Sequence, residues 1–257
     1  MHVSDKASLK EYYEKEAKQV SHQEIMYLRG DKHELWWHRK RLAYIVSFLV
    51  EIFQNHRISV FADIGCAEGF YVRYVASNHA ETYCIGADIA SAYVKKAKIN
   101  CKALNADFVV CDIANLPFRK DSVDVVLCSE VLEHVYDYSR SVCELMRAGK
   151  RFLIISFPGH TYLYEVISKI GPLKRFADHL VPDVGHVSEI TIRHVYASLR
   201  GNYRYFKIKI GAAFPIRVYQ CIPSTRLVDL FDNIVCNALH HLGLNDYANI
   251  HVMEIMK

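Results

Sequence analysis

The feature that most constrains this chain is an apolar run that breaks into a glycine turn at residues 60–69 (VFADIGCAEG). The run predicts a strand that passes sharply into a helix. Gly65 lets the backbone turn and approach a ligand, and Gly69 leaves room where the helix packs back on the strand. A dinucleotide-binding turn reads G-x-G-x-x-G, whereas this chain gives G-x-A-x-x-F from Gly65, so no pyrophosphate cradle is predicted. Asp63 instead favours a cationic ligand, and a tight turn without any ligand is the alternative.

Acidic residues also end the next two predicted strands. Asp88 follows the glycine turn by about 20 residues. This separation along the sequence is typical of a carboxylate that holds a ribose diol. Ile89 then offers an apolar face suited to an adenine ring. Asp112 ends the third strand, where its side chain can accept from an exocyclic amine while the backbone of Ile113 donates. Together these residues predict an adenosine pocket, although each aspartate alone is also typical of a helix cap or turn.

The fourth predicted strand runs into residues 129–135 (SEVLEHV). Ser129 lies at the end of this strand, and His134 lies at the entry of the next helix. An imidazole titrates near neutrality, so His134 is a candidate general base. Local packing and hydrogen bonding are the alternative role for this histidine.

The glycine turn and the segment after the fourth strand resemble the class I methyltransferases that use S-adenosylmethionine (SAM). In that family the turn holds the methionine part of SAM, and the acidic residue lies near its amino group. The resemblance implies those roles for Asp63, Gly65, Cys66 and Gly69. It also places Ser129 beside the sulfonium.

The same resemblance implies an α/β fold of the Rossmann-like class I methyltransferase type. Its sheet has seven strands and is mostly parallel, with the last strand antiparallel and helices on both faces. The alternation of strands and helices over 56–158 independently indicates a mostly parallel sheet. We expect the fifth strand at 151–158 and the last two at 203–210 and 250–256.

The 257 residues are predicted to form a single methyltransferase domain. Residues 1–55 are predicted to be a helical N-terminal lid, and 56–158 the SAM-binding core. Two insertions, 159–187 and 212–249, are expected on the substrate side, because ligands bind outside the carboxyl ends of strands in open α/β sheets. Six apolar residues of the second insertion follow a helical spacing and are interpreted as core rather than as a membrane anchor. They are Leu227, Leu230, Phe231, Ile234, Ala238 and Leu242.

The densest basic segment lies at 36–41 (WWHRKR), ahead of an apolar helix. Many SAM methyltransferases carry a helical extension with a tryptophan and an arginine that cover the cofactor. The resemblance therefore implies that Arg39 or Arg41 reaches the SAM carboxylate and that Tyr12 or Tyr13 closes the lid. Contact with nucleic acid or an anionic membrane is the alternative, since basic residues interleaved with aromatics are typical of both.

Composition adds limits on the function. The formal net charge of +4 is too mild to require a nucleic-acid partner. The eight cysteines form no C-x-x-C pair and no zinc-type cluster, so they predict buried small hydrophobes, no metal site and a reducing cytoplasmic location. No apolar run approaches the ~20 residues that cross a bilayer, and the chain opens on a polar segment rather than a secretory leader.

We therefore expect a SAM-dependent methyltransferase that acts on a small or medium organic acceptor and releases S-adenosylhomocysteine (SAH). Resemblance to the quinone-, lipid- and sugar-modifying branch favours O or C as the methylated atom, with N left open. For a hydroxyl acceptor, His160 and His186 join His134 as candidate bases. An RNA- or polyanion-directed methyltransferase and a catalytically silent SAM-binding regulator are the alternatives. The absence of an Asn-Pro-Pro-Tyr motif after the fourth strand argues against amino-group chemistry on a base.

Overall fold

A computed structural model of the chain describes residues 6–19, 27, 31–159, 188, 190–199, 201–214 and 216–257. The strands within these ranges are β1 (Val60–Ile64), β2 (Tyr83–Asp88), β3 (Ala106–Val110), β4 (Val123–Ser129), β5 (Gly149–Pro158), β6 (Tyr205–Gly211) and β7 (Ile250–Met256). The helices are α1 (Lys6–Gln19), α2 (Lys32–Asn55), α3 (Phe70–Asn78), α4 (Ser91–Asn100), α5 (Tyr138–Ala148), α6 (Ile192–Leu199), α7 (Ile216–Gln220) and α8 (Thr225–His241). Short 3-10 turns follow β4 at Leu132–His134 and α8 at Asn245–Tyr247.

The strands form one seven-stranded sheet in the order β3-β2-β1-β4-β5-β7-β6. Pairing is parallel from β3 through β5. The last strand, β7, lies between β5 and β6 and runs antiparallel to both. The predicted fold class, including the antiparallel final strand, is confirmed.

Helices cover both faces of the sheet, as the alternation of strands and helices predicts. On one face, Phe48 and Leu49 of α2 pack with Val72 of α3 in a buried apolar cluster. On the other face, Leu145 of α5 and Val195 of α6 belong to a second buried cluster. The sheet is therefore the middle of three layers, and its carboxyl edge is left for ligands.

Strand register brings the predicted site residues to one edge. Ile64, the last residue of β1, pairs with Ala87 of β2 and with Cys128 of β4. Asp88, the last residue of β2, pairs with Val110 of β3. The carboxyl ends of these strands thus lie side by side, and the segments that follow them share one cleft.

The amino-terminal part of the chain is helical where the structure describes it. Asp31 begins α2 by accepting a hydrogen bond from the His33 amide, and the helix packs on the sheet through its second half. Of the described helices, none combines the length and the apolar character that crossing a bilayer requires. Most of the insertion predicted at 159–187 lies outside the described residues, as do His160 and His186.

The second insertion holds α7 and α8, and one expectation for it is wrong. The apolar residues of α8 that we interpreted as core are exposed, with Leu227 at 54%, Leu230 at 60% and Ile234 at 62% of full exposure. The helix buries Val228 and Asp232 instead. The physical reason is that Asp232, held by an ion pair and by backbone amides, lies on the inward side of the helix together with Val228 and Cys236.

The cysteines follow their predicted role in most positions. All eight are free thiols, and five of them are buried. Cys66 and Cys128 lie in the sheet edge region, where burial raises the pKa of both thiols. The other three depart from the prediction, since Cys111 and Cys143 are half-buried and Cys221 is exposed between α7 and α8.

Candidate active site

The glycine turn after β1 is held against the ends of two neighbouring strands. Gly65 adopts a φ of +79°, and the amides of Gly65 and Cys66 both donate to the Ala87 carbonyl of β2, at 2.7 and 3.0 Å. A Cβ built on Gly65 would lie 2.2 Å from Cγ2 of Val131, in the segment after β4. Only glycine fits this backbone angle and this spacing, so the turn closes tightly over the sheet edge.

Gly69 ends the turn and begins α3, also with a φ of +79°. A Cβ at this position would lie 2.9 Å from Cε1 of Phe108 and 3.1 Å from Cβ of Ala97. Phe108 of β3 and Ala97 of α4 therefore occupy the space that a side chain at position 69 would need. Ala67, between the two glycines, also has a positive φ, of 44°.

Asp88 ties the glycine turn to the start of α4. Its Oδ2 accepts from the Ala67 amide and its Oδ1 from the Ala90 amide, both at 2.9 Å. Burial raises the pKa of Asp88 to about 6 against the opposing effect of these hydrogen bonds. The carboxylate is thus fixed at the cleft, at the end of β2.

Asp63 is the most buried of the predicted acidic residues, at 1% of full exposure. Its Oδ2 has no hydrogen-bond partner within the described residues. Burial and the charge of Asp88 raise the pKa of Asp63 to about 8. At neutral pH the side chain is therefore mostly protonated, and a cation placed beside it would favour the charged form.

The end of β3 combines a capped turn with apolar surface. Asp112 accepts from the Ala114 amide at 3.0 Å and from Nδ2 of Asn115 at 3.3 Å, which is the turn role that we named as an alternative. Ile113 is buried and Ile89 is half-buried beside this edge. An adenine ring recognised here would share the Asp112 carboxylate with the turn.

The end of β4 carries a charged network that includes Arg41. Glu130 stands in a left-handed conformation, with a φ of 55°. Its Oε2 accepts from Nη1 of Arg41 at 2.9 Å, and its Oε1 accepts from the Ser156 hydroxyl at 3.0 Å. The Ser129 and Ser156 hydroxyls lie 2.9 Å apart. Nε of the buried Arg41 has no partner within the described residues, so this guanidinium has donor capacity left for an anion.

The 3-10 turn after β4 places a buried acid next to the candidate base. Burial and the charge of Glu130 raise the pKa of Glu133, whose Oε2 has no hydrogen-bond partner in the described part of the chain. Nε2 of His134 lies 3.8 Å from Oε1 of Glu133. The His134 ring is half-buried and meets the Tyr13 ring edge-on, with centroids 5.8 Å apart.

Helix α1 crosses the cleft at the start of α4. Glu14 accepts from the amides of Ser91 and Ala92, at 2.6 and 3.1 Å, and so caps α4. Glu16 accepts from the Tyr93 hydroxyl at 2.8 Å. These contacts hold α1 over the end of β2 and bring Tyr13 to the cleft, whereas Tyr12 is exposed at 41%.

The basic segment divides between two sides of α2. Arg41 points to the cleft, but the exposed Arg39 donates to the Tyr27 carbonyl at 3.1 Å and borders a different cavity of about 570 Å³ between α2 and α8. Lys40 lies 2.9 Å from both Asp229 and Asp232 of α8. The structure therefore brings Arg41, and not Arg39, to the carboxyl edge of the sheet.

Most of the predicted site residues converge on this cleft. They are Asp63, Gly65, Cys66, Gly69, Asp88, Ile89, Asp112, Ile113, Ser129, Arg41, Tyr13 and His134. Sequence reasoning missed the role of Glu14, since a glutamate in a polar helix carries no signal of the cap it makes to another helix. It also missed the pairing of Glu130 with Arg41, which depends on a left-handed residue after β4. No group of His, Cys, Asp or Glu within the described ranges is arranged to hold a metal ion.

The region that matches a known protein family covers the ends of β1 to β4, where most of the cleft residues lie. The family described as "Methyltransferase domain" matches residues 62–152. The norajmaline N-methyltransferase of Rauvolfia serpentina is 31% identical over 46% of this chain and 44% of its own length. The chloroplastic tocopherol O-methyltransferase of Arabidopsis thaliana is 31% identical over 40% of this chain and 32% of its own length. The human probable tRNA methyltransferase 9B is 30% identical over 39% of this chain and 20% of its own length. The aligned region thus spans less than half of each of these curated relatives.

A solved structure extends the likeness of the fold to nearly the whole chain. The magnesium protoporphyrin IX methyltransferase from Synechocystis PCC 6803, solved with bound SAH, matches with a TM-score of 0.64 at 19% identity. The match covers 98% of this chain and 100% of the other. At this identity the likeness shows a shared fold.

Proposed function

We propose that this chain, which belongs to the class I methyltransferases that use SAM as cofactor, transfers a methyl group to an O, N or C atom of a small or medium organic acceptor. The observation that carries the proposal is the convergence of a positive-φ glycine turn and three strand-end aspartates on one edge of the sheet. That edge is where open α/β sheets bind nucleotide-like ligands.

The residues of the cleft fit SAM in charge and position. SAM carries an ammonium, which would favour the charged form of Asp63. The buried Oδ2 of Asp63 has no hydrogen-bond partner within the described residues and could accept from this ammonium. The glycine turn would lie along the methionine part through Gly65, Cys66 and Gly69. Asp88 at the end of β2 would accept from the ribose hydroxyls.

The remaining predicted cofactor contacts lie around this central group. Ile89, Ile113 and Asp112 would form the adenine pocket between β2 and β3. Ser129 would stand beside the sulfonium at the end of β4. Tyr13 would cover the ligand from α1, whose attachment to α4 through Glu14 supports the proposed lid. We keep 1–55 as this lid and 56–158 as the cofactor core within a single domain.

Bound SAM supplies a methyl group that is already activated on a positively charged sulfur. The chain's own residues therefore have to orient the acceptor and exclude water. The acceptor side would be the end of β4, where Glu130, Ser129 and Ser156 form a hydrogen-bonded group. His134 is the candidate base at this place for a hydroxyl acceptor, with His160 and His186 outside the described residues.

A small acceptor is favoured over RNA by the placement of the basic segment. Lys40 and Arg41 are buried in ion pairs with α8 and Glu130, so they do not present a cationic surface to RNA. Two of the matched relatives are named for methylation of the small molecules norajmaline and tocopherol. Because one matched relative is a probable tRNA methyltransferase, RNA is the alternative acceptor to be tested. The cytoplasmic location stays a prediction.

The test is transfer of labelled methyl from SAM to a panel of phenols, carboxylic acids, amines and lipid-soluble ring compounds, with bulk tRNA as a separate arm. We expect label in at least one small acceptor and none in tRNA. Label in tRNA alone would replace our proposal by the RNA-directed alternative. SAM binding with no transfer across all arms would favour the silent regulator.

The two arginines of the basic segment predict a split in ligand affinity. Arg41→Ala is expected to weaken SAM binding about tenfold, because a buried guanidinium no longer binds the SAM carboxylate. Its affinity for adenosine, which has no carboxylate, should change little. Arg39→Ala is the matched control and should leave both affinities unchanged, since Arg39 faces the other side of α2. Calorimetry with both ligands measures the split, and an equal loss for SAM and adenosine in Arg41→Ala would point to a collapsed cleft instead.

The cap made by Glu14 predicts an effect on ligand exchange. Glu14→Gln leaves one of the two α4 amides poorly satisfied, at a cost of about 0.5–1 kcal/mol, and should loosen α1. We expect SAH to dissociate roughly 2–5 times faster, as measured by stopped-flow fluorescence. Glu11→Gln on the same helix is the control, because Glu11 pairs only with the exposed Lys15 in the described structure. Equal dissociation rates in both variants would remove α1 from the gating of the cleft.

A further inference from the structure

Helix α8 packs against the protein through a mixed side that contains the buried Val228, Asp232 and Cys236. Asp232 is fully buried, its Oδ2 lies 2.9 Å from Nζ of Lys40, and its carboxylate accepts from the amides of Ala212 and Ala213. The Tyr219 hydroxyl also donates to Asp232. A helix on the surface of a globular protein usually turns its apolar stripe inward and its polar face to water. On α8 a second set of large apolar side chains faces outward, and the ion pair of Asp232 lies on the inward side with the buried apolar residues.

The outward side of α8 is a continuous apolar face. We call this surface the α8 face, and its members recur at helical spacing over about four turns. They are Leu227, Leu230, Phe231, Ile234, Ala238 and Leu242. Leu244 and Tyr247, just beyond the helix, are also exposed and extend the same apolar character. This continuous apolar face is a candidate interaction surface.

One cationic side chain borders the α8 face, and both acidic residues of the helix are paired with a lysine. The two acidic residues of α8 are Asp229 and Asp232, and Lys40 lies 2.9 Å from both of them. Arg226 is exposed four residues before Leu230, at the margin of the face. His240 and His241 lie at the carboxyl end of the helix. Arg226 therefore places a cation at the margin of the face, while both acids of the helix pair with Lys40.

The area of the face favours a lipid surface over a second copy of the chain. A helix of 17 residues is about 25 Å long and about 10 Å wide, which gives a face of about 250 Å². A stable protein dimer needs roughly 800 Å² from each partner. An interfacial helix has no such threshold, because each inserted apolar side chain adds to the binding and nearby cations add attraction to anionic headgroups.

We propose that the α8 face docks on the surface of a bilayer that contains anionic phospholipids. The apolar side chains insert at the boundary between headgroups and acyl chains, and Arg226 lies at the headgroups. The helix stays parallel to the membrane and does not cross it. This docking does not depend on the identity of the methyl acceptor or on methyl transfer.

The test is co-sedimentation of the full chain with phosphatidylcholine vesicles, with and without phosphatidylglycerol, at low and physiological salt. We expect binding that is stronger with phosphatidylglycerol and weaker at higher salt. Leu230→Gln/Ile234→Gln should reduce affinity for the mixed vesicles at least about tenfold, because two aliphatic side chains no longer enter the apolar phase. Arg226→Gln should reduce binding to the mixed vesicles and leave binding to pure phosphatidylcholine unchanged.

The matched control is Ile99→Gln/Leu104→Gln, which removes two exposed aliphatic side chains at 66% and 103% exposure near the end of α4. This control should bind vesicles as the unmodified chain does. Both double variants change exposed residues, and melting curves verify that they fold. Equal loss in both double variants, or no loss in the α8 variant, overturns the proposal. So does a dimer in light scattering that dissociates in the α8 variant without any vesicle binding, since the α8 face would then bind a second copy.

Discussion

Replacing Asp88 by alanine is expected to weaken the binding of both SAM and SAH by about 1–3 kcal/mol, or roughly 5- to 150-fold. The ribose diol would lose a charged acceptor that is fixed at the end of β2. The Ala67 and Ala90 amides would also lose their acceptor, which loosens the glycine turn. Both effects act in the same direction, so we expect a value in the upper part of this range by calorimetry.

Asp107→Ala is the control for this experiment. Asp107 is an exposed aspartate of β3 that accepts from the Tyr83 hydroxyl, away from the carboxyl edge of the sheet. The substitution should leave SAM and SAH affinity unchanged. An unchanged affinity in Asp88→Ala would instead remove Asp88 from the ligand site.

The buried carboxyl of Asp63 predicts a strong pH dependence of binding. Because burial and the charge of Asp88 raise its pKa to about 8, the side chain must lose a proton before it can pair with the ammonium of SAM or SAH. Affinity for both ligands should therefore rise by up to about tenfold per pH unit between pH 6 and 7.5, where the ligand ammonium is still mostly protonated. Above the Asp88 pKa of about 6, adenosine affinity should stay constant, because adenosine carries no ammonium.

Asp63→Asn isolates this effect, because the amide has the same shape and no charge. The variant should bind SAH weakly at every pH, with a flat profile. In the ligand-free chain, the raised pKa of Asp63 contributes stability that is full below its ordinary value of 3.8 and is lost as pH rises to about 8. The melting temperature of the unmodified chain should therefore fall as pH rises over this window. It should fall less steeply in Asp63→Asn. A pH profile of SAH affinity that is the same in both chains would contradict the role of Asp63.

The sequence predicted the sheet and its carboxyl edge well because both depend on local patterns. Buried parallel strands are short apolar runs, and the positive φ at Gly65 and Gly69 requires glycine, so strand ends and turns are visible in the chain itself. The acids at 63, 88 and 112 then fall at one edge, because the carboxyl ends of parallel strands meet there. Register did not have to be known.

The misjudged parts depend on contacts between distant segments. Periodicity gives the apolar stripe of α8 but not the direction that it faces. That direction depends on distant contacts such as the ion pair of Asp232 with Lys40, which lies 192 residues upstream. The choice between Arg39 and Arg41 likewise depends on which side of α2 meets the sheet edge. Glu14 caps α4 across 77 residues of sequence, and no local pattern marks such a cap.

The central claim is that the cleft at the ends of β1, β2 and β4 binds the SAM cofactor. Calorimetric titration of SAH into the full chain at pH 8 tests it most directly, since about half of the Asp63 side chains are then charged and no methyl acceptor is needed. The account predicts saturable binding of one SAH per chain with low-micromolar or tighter affinity. Absence of binding at pH 8 by a chain with a cooperative melting transition would contradict it.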